Sequence, residues 1–73
     1  MDEKIVDATL KFHIGEMRER LDRAASIARA TETCATAGNI EKAIKIALNV
    51  EQLIYEVNTL LNAVSMINRI SEA

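Results

Sequence analysis

Thr36-Ala37-Gly38-Asn39-Ile40-Glu41-Lys42 decides how this chain folds. Glycine is the favoured residue just past a helix end, where the backbone turns left-handed. Asparagine next to it is a good N-cap for a following helix, and Glu41 suits the positive end of that helix's dipole. Lys42 stands where a capping box places Glu, so the box is incomplete. Working outward, the threonines at 31, 33 and 36 favour helix only modestly and are expected to fray the last turns of the helix they close.

On both sides of this turn the chain reads as uninterrupted helix. Proline is absent and glycine occurs only twice. Helix 1 is expected over roughly residues 3 to 36 and helix 2 over roughly 40 to 71, each about 50 Å long at 1.5 Å per residue. A turn at 37–39 makes them antiparallel neighbours. The expected fold class is all-α: an antiparallel, coiled-coil-like two-helix hairpin, completing a four-helix bundle by association.

Apolar spacing carries this reading. On helix 1, Leu10, Ile14, Met17, Leu21, Ala24, Ala28, Thr31 and Ala35 alternate at four and three residues. On helix 2, Ala43, Ala47, Val50, Ile54, Val57, Leu61 and Val64 do the same, and Asn68 continues the row. Sustained 4-3 spacing is the mark of left-handed, knobs-into-holes packing. The expected seam inside the hairpin is therefore Leu10, Ile14, Met17, Leu21, Ala24 and Ala28 against Ala47, Ile54 and Leu61. Alanines on both sides near the turn predict close approach there, with spreading toward the bulkier open end.

The two helices differ in burden. The first 36 residues hold thirteen of the twenty charged side chains. Glu16–Arg20, Arg18–Asp22 and Glu19–Arg23 are spaced i,i+4, which makes a solvated face. From Ile40 onward, fifteen of 34 residues are large and apolar. Ile46, Leu53, Leu60 and Ile67 form a second row seven apart, with Ile44, Leu48, Tyr55, Met66 and Ile70 beyond it. A single brace helix covers one stripe of its neighbour. An uncovered apolar band on a small protein marks an interaction surface. The expected partner interface is Ile46, Val50, Leu53, Tyr55, Val57, Leu60, Val64 and Ile67, and the spacing alone does not sort internal from external members. Tyr55 suits an anchor role, with a large ring and a polar tip.

Composition narrows the alternatives. A chain of 73 residues has a small core and gains stability from a disulfide, a metal or association. One cysteine, Cys34, excludes an internal disulfide and suits a reducing, cytoplasmic setting. One histidine excludes a Cys/His metal cage within a single chain. His13 and Glu16 reverse the Glu-x-x-His order of di-iron bundles and occur once, so no metal or other cofactor is expected. Cys34 and His13 lie 21 residues apart on one helix, about 30 Å, and cannot form a nucleophile–base pair. No enzymatic role is expected. The net charge of −2, and arginines at 18, 20 and 23 interleaved with acids, argue against nucleic acid. A small nucleic-acid-binding regulator is the weaker alternative. The N-terminus shows no signal-peptide pattern, and no apolar run is long enough to span a membrane. Gly15 lies mid-helix, where it costs about 1 kcal/mol relative to alanine. Asn68 and Thr31 interrupt the apolar rows; a polar residue there either sets register or, near a chain end, is simply solvent-exposed.

Two resemblances follow from these residues. Gly38-Asn39-Ile40-Glu41-Lys42-Ala43-Ile44 resembles the turn between the helices of a tetratricopeptide repeat, although the long helices and the missing 34-residue period set the chain apart from a true repeat. The charged first helix, short turn and apolar second helix (Ile46 to Ile67) are similar to the small hairpin chaperones of type III secretion needle subunits. Asn39 to Ile70 also looks like the C-terminal helix of needle and inner-rod subunits. This second resemblance implies a cytoplasmic chaperone or adaptor holding a needle-type subunit, with a foreign helix as partner. The expected function is protein–protein interaction through helix 2, chiefly as a homodimer.

Overall fold

The structure, a computed structural model, describes residues 2–72. It is all-helical: α1 spans Glu3–Thr36, α2 Ile40–Ala47 and α3 Val50–Glu72. Together α2 and α3 form the returning arm of an antiparallel hairpin, and both pack on α1.

Local chemistry explains each boundary. Asp2 caps α1, its carboxylate accepting from the Lys4 N–H at 2.8 Å. At the other end Gly38 takes φ +90°, the left-handed region open to a residue without Cβ. The Asn39 N–H then donates to the Cys34 carbonyl and the Gly38 N–H to the Ala35 carbonyl, both at 3.0 Å. This pair of bonds is the Schellman closure, and it satisfies carbonyls that the helix end leaves free. Asn39 also starts the return, its side chain accepting from the Lys42 N–H at 3.3 Å. One residue thus finishes the closure of α1 and caps α2, so the reversal is tight.

The returning arm departs from the single helix expected over 40–71. It bends at Leu48–Asn49, where the Asn49 N–H donates to the Ile46 carbonyl (3.1 Å) and the Glu51 N–H to the Leu48 carbonyl (3.2 Å). These are i→i−3 bonds, a local tightening to 3₁₀ geometry. Neither glycine nor proline is present to announce it. The bend separates Ala43 and Ile46 of the seam from Val50, Leu53 and Val57.

The hairpin measures 54 × 15 × 12 Å, two helices wide and one helix thick. Its radius of gyration is 16.7 Å, against about 11 Å for a globular chain of this length. Among the described residues a single seam makes up the core. Among the described residues only Val6, Ala24, Ala43 and Leu53 are buried hydrophobics.

Candidate interaction surface

On α1 the seam runs Val6, Leu10, His13, Met17, Arg20, Ala24, Ile27, Thr31 and Cys34, all buried or half-buried. On the returning arm it runs Ala43, Ile46, Val50, Leu53, Val57, Leu60, Val64 and Ile67, again buried or half-buried. Both rows keep the 4-3 alternation.

This places the sequence-predicted residues differently from the expectation. Of the expected internal seam, Leu10, Met17, Ala24 and Ala47 are buried or half-buried, whereas Ile14, Leu21, Ala28, Ile54 and Leu61 are exposed. Of the expected partner interface, Leu53 is buried and Ile46, Val50, Val57, Leu60, Val64 and Ile67 are half-buried against α1; Tyr55 alone is openly exposed. On each helix the seam keeps one half of the expected row and exchanges the other, 14-21-28 for 13-20-27 and 47-54-61 for 46-53-60, a rotation of about 50°. The physical reason is bulk: Ile46, Leu53, Leu60 and Ile67 make the longest row of large side chains, and a lone helix pair gains most by burying it.

The expected seam leaves out Val6, His13, Arg20, Ile27 and Cys34. Arg20 also belongs to the charged face of α1. Its stem lies in the seam and its guanidinium emerges on one side, where Nε donates to Glu56 Oε1 at 2.8 Å and a terminal nitrogen to Glu16 Oε1 at 3.1 Å. Gln52 Nε2 donates to the second Glu56 oxygen at 2.9 Å. These bonds, from Gln52 first and Arg20 second, hold the Glu56 carboxyl below the usual glutamate range. Arg20 is correspondingly raised, by the Glu56 bond and then the Glu16 bond. His13 Nδ1 donates to the Thr9 carbonyl at 2.8 Å and its ring meets Phe12 edge-on at 5.8 Å, a local packing role. No group of three or more metal-ligating side chains occurs among the described residues.

The hairpin therefore has two unlike broad faces. An antiparallel pair is related by a two-fold axis perpendicular to its plane, so residues displaced in the same sense from the seam on each helix share a face. Arg20, Glu16, Gln52 and Glu56 occupy one. Ile14, Leu21 and Ala28 share the other with Ala47, Ile54 and Leu61. The fractional exposures of Leu21 and Ile54 are 45% and 42%, the values of side chains flanking a seam with one side uncovered. Outside both faces, Ile44, Leu48, Tyr55 and Met66 project from the returning arm, each more than half exposed.

No helix of the described residues is long and apolar enough to cross a membrane. The chain matches no family model, no curated protein and no solved structure.

Proposed function

We propose that this chain is a non-enzymatic interaction module of the cytoplasm that works by burying apolar helix surface against other helices, chiefly by self-association. One observation carries the reading. The hairpin exposes 5538 Å², whereas a globular monomer of its 8.1 kDa mass exposes about 4,500 Å². The excess of about 1,000 Å² is close to one partner's share of a standard protein–protein interface, about 800 Å². Twelve large hydrophobic side chains contribute to that surface. Burial of such area at roughly 25 cal/mol per Å² supplies what the thin seam lacks.

Light scattering on the purified chain, with an apolar fluorescent dye as second readout, tests this. The expected result is a mass above one chain, or dye binding by a folded monomer. A folded, thermally stable monomer that binds no dye overturns it.

The uncovered outer stripe of Ile44, Leu48, Tyr55 and Met66 favours a second reading beside the first. It suits a foreign helix, as in a chaperone or adaptor for a needle-type secretion subunit. Poor solubility alone, with rescue on coexpression of that subunit, is its expected behaviour.

A further inference from the structure

We infer that the face formed by Ile14, Leu21, Ala28, Ala47, Ile54 and Leu61 takes a second copy of this chain, stacked with its turn at the opposite end, to give an antiparallel four-helix bundle. The inference rests on the interaction reading above and specifies its surface and partner.

The six residues form three levels. Residues 14, 21 and 28 climb α1 in steps of seven, and 61, 54 and 47 descend the returning arm in the same steps. The Arg20–Glu56 bond fixes the pairing of the two arms. It sets Ile14 level with Leu61, Leu21 with Ile54 and Ala28 with Ala47. Successive levels are about 10 Å apart. At the open end Asp7 and Asn68 stand one step beyond Ile14 and Leu61; at the turn end the same step reaches Ala35 and the exposed Ile40.

Level sizes choose the orientation. Two levels are large and one is small. With the turns together, the alanine level of each copy meets its twin, leaving four methyl groups across a gap, and the Ile14/Leu61 level meets its own bulk. With the turns opposed and Leu21/Ile54 at the centre, each Ile14/Leu61 level sits on the partner copy's Ala28/Ala47 level. Large against small fills the layer at interior density. Residue 21 is close to the midpoint of Glu3–Thr36, so the two rods overlap along nearly their whole length. The same arrangement brings Lys11 of one copy level with Glu32 of the other, a complementary pair at the rim.

The test combines mass and distance. Light scattering over a dilution series is expected to show a dimer for the natural chain and monomers for Leu21→Lys and Ile54→Lys, while Tyr55→Lys on the outer stripe remains dimeric. If a lysine variant loses its helical signal, the milder Leu21→Ala takes its place, with an expected rise of about tenfold or more in the dissociation constant. For orientation, a spin label is placed at Thr33→Cys in a Cys34→Ala background. Opposed turns put the labels about 40 Å apart, and adjacent turns about 20 Å, the width of two helices. A dimer that survives both lysine substitutions, or a short label distance, overturns the inference and leaves the interaction reading intact. A dye-binding monomer at every concentration also overturns the second copy as occupant. A stable monomer that ignores the dye overturns both.

Discussion

Arg20 of α1 and Glu56 of α3 are joined across the hairpin, Nε to Oε1 at 2.8 Å, with 36 residues of chain between them. It is the one ion pair among the described residues that links the two arms; the others lie within a helix at i,i+4. An apolar seam with 4-3 spacing slides by one heptad at modest cost. A single charged pair at a defined level makes such a slip expensive, as a polar residue in a coiled-coil seam does.

The pair makes stability depend on acidity. Glu56 titrates below the ordinary glutamate value in the folded chain. Its contribution is therefore fully present above the unfolded pKa and is lost as pH falls through the lowered folded pKa. Glu56→Gln is expected to melt below the natural chain at neutral pH. The gap should close in acid and shrink with added salt. Circular dichroism melts across the acid range check this; a gap independent of pH refutes it.

Neighbouring residues on α3 should respond in opposite ways. Leu53 is 6% exposed and Ile54 42% exposed. Leu53→Ala is expected to destabilise the hairpin by about 2–3 kcal/mol, the lower part of the range for a buried leucine because a one-helix-thick seam relaxes easily. Ile54→Ala should leave the dilute hairpin within about 1 kcal/mol of the natural chain and instead weaken association. Urea unfolding at low and high protein concentration separates the two effects.

The two glycines carry opposite signs. An added Cβ meets nothing within 4 Å at either Gly15 or Gly38. Gly38 holds φ +90°, which a side chain resists, so Gly38→Ala is expected to cost about 1–2 kcal/mol. Gly15 lies within α1, so Gly15→Ala should stabilise by about 0.5–1 kcal/mol. Thermal melts of the two variants beside the natural chain decide it.

Asn39 serves both helices at once. Its side-chain bond to the Lys42 N–H is long, at 3.3 Å. Asn39→Ala is therefore expected to cost about 0.5–1 kcal/mol, the low part of the capping range, because its backbone bond to Cys34 persists. A loss beyond about 2 kcal/mol, measured by urea unfolding, would contradict this account of the turn.

Much of the fold was legible in local chemistry. Gly38 and Asn39 specify the reversal because only one residue type relaxes at φ +90° and a side-chain acceptor must meet the next helix's first N–H groups. Absence of proline and the 3.6-residue period specify helix on both sides. These are short-range facts, and the chain states them residue by residue. The bend at Leu48–Asn49 was not legible, since neither glycine nor proline marks it.

The rotation of the helices was settled only by the tertiary structure. Rows 14-21-28 and 13-20-27 on α1 obey the same alternation with Leu10, Met17 and Ala24, and rows 47-54-61 and 46-53-60-67 do so on the returning arm. Periodicity reports that a stripe exists; which stripe faces inward is a comparison of total burial between two rotations of both helices together. Ile46, Leu53, Leu60 and Ile67 tip that balance, and the polar ends of His13 and Arg20 at the seam's edge disguised the matching row on α1. So the sequence by itself determined a helical hairpin with more apolar surface than one seam holds. Long-range packing decided that part of the surplus lies on a face shared by both helices, centred on Leu21 and Ile54, and part on the outer stripe of Ile44, Leu48, Tyr55 and Met66, because burial is summed over the whole seam.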